Sequence, residues 1–268
     1  MARLAILAGQ GALPQMIAAE RPQALFVHFD GVSVELPAND TLAASYERFG
    51  EMFAGLQAAG ITEVVFAGGL ARPALNPANF DARMQQLAPG FMAAMSGGDD
   101  GLLRAVISAF EGEGFAVRGA HEVLPALTAA PGLLAGPGPS DADMRDAGRA
   151  RAILQALGPL DVGQGVVVAD GQALGVETAQ GTDAMLGFVA QTPQKLRQRE
   201  RGVLVKAPKP GQDLRIDMPA IGPETIAAAA KAGLAGIVIS AGDVLLIERA
   251  ETLAAAGAAG LFLLAEPA

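Results

Sequence analysis

The 268-residue sequence has no cysteine and no tryptophan, one tyrosine and two histidines. Without cysteine there can be no disulfide, no thiol nucleophile and no thiolate-held zinc. His28 and His121 are too few for an imidazole metal cage, and both are expected to be structural. Any metal would sit among oxygen ligands, which favours magnesium or manganese. Long hydrophobic runs are also missing. The best uncharged apolar stretch, Thr252–Ala265, has fourteen residues, short of the ~18–20 that a membrane-spanning helix needs. Leu4–Gly9 is too short for a signal peptide and is interrupted by Gln10 and Pro14. A soluble, cytoplasmic protein is the expectation. Positive charge is in deficit, with 19 basic against 28 acidic side chains and a net charge of −9, which argues against nonspecific nucleic-acid binding.

What is present is a core-forming chain. Apolar residues make up 51%, and the length suits one large or two ordinary domains. Leu4–Ala8, Ala24–Phe29 and Glu63–Ala67 read as strands. Helical patterns lie between them, from Pro14 to about Glu20 and from about Leu42 to Ala59. This alternation predicts parallel βαβ units and a Rossmann-like sheet. Helices over about 81–95 and 101–111 and a strand at Phe115–Arg118 follow.

Pro131–Pro139 holds three prolines and three glycines and no charge, so it reads as a linker. The expected organisation is a Rossmann-like domain over 1–132, a linker over 133–140 and a mixed α+β domain over 141–268. Ser140 with Asp143 marks a helix start. Val166–Ala169 and Gln172–Glu177 flank Asp170-Gly171, a two-residue hairpin signal. Gly236–Ile239 and Val244–Ile247 suggest a second hairpin. Helices are expected near 183–189, 223–232 and 250–258, and a last strand at Leu261–Leu264. The fold class is α/β: a parallel-sheet N-terminal domain plus a mixed C-terminal one.

The richest chemistry lies in Lys206-Ala-Pro-Lys209-Pro-Gly-Gln212-Asp213-Leu-Arg215-Ile-Asp217, running on to Gly222. Of the chain's basic and acidic side chains, seven and two respectively fall between Lys195 and Arg215. A local positive field in an acidic protein points to a bound anion. Lys206, Lys209 and Arg215 could neutralise a diphosphate. Asp213 and Asp217 could hold a hard cation or activate water. If the segment is extended, residues 213, 215 and 217 share one face. The bland alternative is a solvated loop with internal ion pairs.

Other candidates are weaker. Gly9 and Gly11 follow the first strand and either make a tight turn or bring backbone N–H groups to a phosphate. Pro14 stands where a dinucleotide fingerprint would have its third glycine. Gly68-Gly69 with Arg72 could also meet an anion. Asp99-Asp100 reads as a helix cap or a paired carboxylate. Thr182 and Asp183, after Glu177, either cap a helix or suit a phosphate or hydrated metal.

Several segments taken in order resemble one family. They are Ala8-Gly-Gln-Gly-Ala-Leu-Pro14, Gly68-Gly-Leu-Ala-Arg-Pro73, Gly98-Asp-Asp-Gly-Leu-Leu-Arg104, Asp161-Val-Gly-Gln-Gly-Val-Val167, Val176-Glu-Thr-Ala-Gln-Gly-Thr-Asp183 and the Lys206–Gly222 stretch. Together the chain resembles the LpxI-type UDP-2,3-diacylglucosamine pyrophosphatases of lipid A synthesis. It departs from that pattern at Gly165, where alanine is expected, and at Ala220, where threonine is. The resemblance implies two domains, a divalent metal such as Mg2+ or Mn2+, and water attack on the α-phosphorus of UDP-2,3-diacylglucosamine to give lipid X and UMP. It implies catalytic roles for Asp213 and Asp217, with Asp217 favoured, and both would be the metal's ligands. Gly9, Gly11, Gly69, Arg72, Asp99, Thr182, Lys206, Lys209, Gln212 and Arg215 would bind substrate. A homodimer and peripheral association with the inner membrane are further expectations. A cleft between domains would take the acyl chains, with Met52, Met84, Met92 and Met95 as candidate lining, although core packing is the commoner role. The competing reading is a non-catalytic nucleotide-sugar-binding regulatory protein.

Overall fold

A computed structural model describes residues 3–69, 74–95, 99–197 and 201–267. The chain divides into two compact units. One holds Met1–Pro125 and Asp213–Asp217, the other Ala126–Gln212 and Met218–Ala268.

The first unit runs β1 (Leu4–Ala8), α1 (Leu13–Glu20), β2 (Leu25–Phe29), β3 (Thr41–Ala44), α2 (Phe49–Ala58), β4 (Glu63–Ala67), α3 (Ala82–Met95), α4 (Asp99–Gly112), β5 (Ala116–Arg118) and α5 (Ala120–Val123). Its strands form a sheet in the order β3-β2-β1-β4-β5, and every pairing is parallel. This is the Rossmann order, with its switch point between β1 and β4. Ala5 and Leu7 are fully buried, and so are Ile6 and Ala8, which point the other way. Both faces of the sheet are therefore covered, which is why these strands read as continuous apolar runs rather than alternating ones.

Phenylalanines fill the α2–α4 side. Phe110 meets Phe53 edge-on at 5.1 Å and Phe66 at 5.3 Å. Met52 and Met84 are each 2% exposed and belong to this core, so neither lines a lipid pocket; Met92 and Met95 are exposed on α3.

The helix expected from Leu42 to Ala59 is shorter, because Thr41–Ala44 is a strand. Its partners are non-local: Phe26 to Phe29 pair with Thr41 to Ala44, and Tyr46 stacks on Phe29 with centroids 4.5 Å apart. Sheet pairing and stacking override the local helical pattern.

The second unit runs β6 (Gly132–Ala135), α6 (Asp141–Leu157), β7 (Gly165–Ala169), β8 (Gln172–Val176), α7 (Gly181–Val189), β9 (Val203–Lys206), β10 (Ala220–Ile221), α8 (Pro223–Lys231), β11 (Gly236–Ser240), β12 (Leu245–Leu246), α9 (Arg249–Ala258) and β13 (Phe262–Glu266). The main sheet is mixed and six-stranded, in the order β6-β13-β11-β9-β7-β8. β9, β11 and β13 run parallel. Leu204 and Ile237 face a core built with α7, α8 and α9, while Val203, Val205 and Val238 face α6.

The expected capping box starts α6: the Ser140 N–H donates to Asp143 at 2.8 Å, and the Asp143 N–H donates back to the Ser140 hydroxyl at 3.2 Å. The β7–β8 hairpin forms as expected, with Asp170 at φ 51° and Gly171 at φ 73° in its turn.

Two expectations fail in this unit. The segment taken as a linker is partly structure, because Gly132–Ala135 pairs antiparallel with β13. Its missing charge reflects an edge strand laid on a sheet, not a free tether. The second hairpin does not form. β11 lies in the main sheet, and β12 pairs parallel with β10 in a separate two-stranded sheet. That partner is remote in sequence, so local spacing could not show it.

Arg197 is a buried fastener that the sequence did not reveal. Its guanidinium donates to the Ala232 carbonyl at 2.5 Å and to the Val189 carbonyl, at the C-terminal ends of α8 and α7. A cation suits those negative helix ends, although burial pushes its pKa below the usual arginine value.

Candidate functional site

The glycine turns of the first unit stand at the switch point, and each holds the other. Gly9 N–H donates to Ala67 O at 2.7 Å, Gln10 N–H to Gly69 O at 2.8 Å and Gly69 N–H to Gln10 O at 2.9 Å. A Cβ on Gly9 would come within 2.5 Å of Gly69 O, and one on Gly68 would overlap Gln10 O at a backbone φ of +88°. Close approach of two backbones explains Gly9 and Gly68. The N–H groups of Gly9 and Gly69 that were expected to meet a phosphate are spent inside the turns. Gly11 is exposed at φ 97°. Arg72 lies outside the described residues. Asp99 begins α4, its side chain also outside the description, and Asp100 pairs with Arg104 at 2.7 Å.

The Lys206–Asp217 stretch is divided between the units. Lys206, Lys209 and Gln212 belong to the second, and Asp213 to Asp217 to the first. In the second unit, Lys206 ends β9 and turns toward α7, where its ammonium donates to the Thr182 hydroxyl and lies 3.6 Å from Glu177 Oε2. Lys209 is on the other side, paired with Asp161. Asp161 is left-handed at φ 57°, and the Gln212 side chain accepts the Lys209 N–H at 2.8 Å.

Lys209 and its neighbouring prolines border a crevice of about 220 Å³, shared with Leu154 of α6 and the carboxyl ends of β9, β11 and β13. Strand carboxyl ends are where open α/β sheets take ligands. This crevice is smaller than the ~300–1,000 Å³ of ordinary ligand pockets and cannot hold a diacyl lipid whole.

In the first unit, residues 213–217 are not extended. Ile216 and Asp217 N–H both reach back to Asp213 O, at 3.3 and 3.2 Å, which makes a single helical turn. The Asp213 side chain sets it by accepting the Arg215 backbone N–H at 3.0 Å, a local bond typical of aspartate. Positions 213 and 217 therefore share a side of the turn, and 215 does not stand between them as an extended strand would have it. Ile216 packs against the core of the first unit.

Arg215 lies across the Asp213 carboxylate, with Nη2 at 2.7 Å and Nε at 2.9 Å from its two oxygens, and reaches Glu111 of α4 at 2.8 Å. These bonds hold the Asp213 carboxyl below the usual range and the Arg215 guanidinium above its own.

A carboxyl with a depressed folded-state pKa contributes stability that is fully present above the unfolded value and is lost as pH falls through the folded one. The stability difference between the natural protein and Asp213→Asn is therefore expected to be flat above about pH 5 and to shrink only below the ordinary aspartate value of ~3.9. Urea melts of both proteins across pH check this. A difference that changes between pH 6 and 8 would assign the effect to another group.

Thus every described cation of the stretch has a carboxylate partner: Glu177 for Lys206, Asp161 for Lys209, Asp213 and Glu111 for Arg215. The sequence shows these cations and Asp213, with internal ion pairs as the bland alternative, but not the pairing of Lys206 with Glu177, Lys209 with Asp161 or Arg215 with Glu111. Asp161 and Glu177 lie in segments whose resemblance had been noted, a signal that could have exposed them, whereas Glu111 carried none. Among the described residues, no group of three or more His, Asp or Glu side chains is placed to hold a metal ion, and no helix is long and apolar enough to cross a membrane.

A Rossmann-order sheet, a mixed six-stranded sheet and one charge-paired loop divided between them define a two-domain α/β protein. The chain belongs to the LpxI family: residues 3–127 match the LpxI N-terminal domain and residues 130–264 the LpxI C-terminal domain. It is similar to the UDP-2,3-diacylglucosamine pyrophosphatase LpxI of Caulobacter vibrioides, with 42% identity over 272 aligned positions covering 98% of this chain and 97% of that one.

Proposed function

We propose that the protein hydrolyses UDP-2,3-diacylglucosamine. Water attacks the α-phosphorus, the bond from that phosphorus to the bridging oxygen breaks, and the products are UMP and 2,3-diacylglucosamine 1-phosphate. The observation that carries this reading is the likeness to a protein of that name along nearly the full length of both chains.

Within the site, Asp217 would orient the attacking water and take its proton, as a general base within reach of the reacting atoms. Asp213 would act on Arg215, fixing its planar fork toward a phosphate oxygen. The resemblance also gives substrate-binding roles to Lys206, Lys209, Thr182 and Gln212, and to Gly11, Arg72 and Asp99. Peripheral docking at the inner membrane and a homodimer belong to the same reading and rest on the resemblance alone.

Magnesium is part of the proposal. The described carboxylates form no ready cage, but one or two of them with phosphate oxygens and water suit this ion. Asp217 would hold it with one carboxylate oxygen and keep the water with the other, with Asp213 as the second carboxylate. The ion would neutralise charge on the diphosphate beside Lys206, Lys209 and Arg215, which already carry carboxylate partners.

The test is incubation of the purified protein with UDP-2,3-diacylglucosamine and magnesium in 18O-water. UMP is expected to appear, with the label in its phosphate. Label in the lipid phosphate would move the attack to the β-phosphorus. Binding with no UMP under any metal would favour the regulatory reading.

A further inference from the structure

Lys206, Gly165 and Glu177 lie in a row across three neighbouring strands. Gly165 of β7 is the register partner of Lys206 of β9, and the Glu177 N–H, just past β8, donates to Gly165 O at 2.8 Å. The middle residue has no side chain, and a Cβ on it would come within 2.6 Å of Glu177 Oε2. Through that gap the carboxylate faces the ammonium, 3.6 Å from Oε2 to Nζ. The Thr182 hydroxyl bridges them, donating to Glu177 Oε1 at 3.0 Å and accepting from Lys206 Nζ. The side chains of Lys206 and Glu177 are only 6% and 12% exposed.

This is a costly arrangement for stability alone. Burying an ion pair is at best neutral against apolar residues of similar size, and Glu177 Oε2 is buried without a hydrogen bond. What the arrangement does achieve is direction. A lysine ammonium can rotate and its stem is flexible, whereas here the bridging hydroxyl takes one donor and the carboxylate's charge holds the rest. A second close approach fixes the backbone of Glu177: Gly163, at φ +63°, lies where any Cβ would overlap the Glu177 carbonyl.

We propose that Glu177 is a positioning residue for the diphosphatase reaction, acting through Thr182 to aim Lys206. The proposal rests on the function stated above. Glu177→Gln keeps a hydrogen-bond acceptor for Thr182 but removes the charge that holds the ammonium. It is expected to lower kcat at least tenfold with KM within twofold. Because Glu177→Gln leaves a buried lysine unpaired, it also loses thermal stability, so a second variant separates the two effects. Glu177→Gln with Lys206→Met removes both charges. It is expected to melt close to the natural protein and to be no less active than Lys206→Met alone, because coupled residues lose their effects once rather than twice. A double variant with full turnover, or Glu177→Gln with unchanged kcat, would overturn the proposal while leaving the hydrolase reading intact. A natural protein that releases no UMP overturns that reading, and this proposal with it.

Discussion

Asp217→Ala is expected to release UMP ~10²–10⁴-fold more slowly than the natural protein, the range for loss of a general base. The turn that carries Asp217 has several holds besides that side chain. It is held by the backbone bond from Asp217 N–H to Asp213 O, by Arg215 lying across Asp213 and by Ile216 in the core of the first unit. Asp213→Ala makes the contrast. It removes the acceptor of the Arg215 backbone N–H and the anchor of its guanidinium, so activity and the seating of the turn should fall together. A UMP-release assay beside a thermal melt measures both. Full turnover by Asp217→Ala would move the chemistry to another residue.

Chelating divalent ions is expected to stop UMP release at least ~100-fold, and added magnesium should restore it. Magnesium by itself should leave the melting temperature where it was. A resident protein-only site would add about 2.7 kcal/mol of stability at one hundred times its dissociation constant, and among the described residues there is no cluster to form one. Magnesium added together with a UDP-sugar should raise the melting temperature, because the diphosphate then supplies most of the ligands. Stabilisation by magnesium alone would show a preformed site. Full turnover in excess chelator would remove the metal from the mechanism.

Much of the fold was legible because it depends on local rules. β1, β2 and β4 were visible as short apolar runs between helical patterns, and the β7–β8 hairpin through its Asp-Gly turn. The strand errors all concern partners remote in the chain. β3 was hidden inside a helical pattern until β2 claimed it. β12 was assigned to a neighbour it does not pair with, and its true partner β10 is about twenty-five positions earlier. β6 resembled a tether because edge strands are short and tolerate proline and glycine at their ends.

The candidate site divides along the same line. Composition alone determined that Lys206–Asp217 carries the chain's densest mixture of cations, acids and turn-formers, and that any metal chemistry would use oxygen ligands. The ordered motifs determined the family. Only the tertiary structure decided that Lys206, Lys209 and Arg215 are each already paired, that Asp213 holds Arg215 rather than standing beside Asp217 as an equal, and that the stretch is divided between two units at Gln212 and Asp213. Charge and turn propensity belong to residues and can be read in order. Pairing depends on which distant backbone brings a carboxylate within reach, and that is set by the packing of whole sheets and helices.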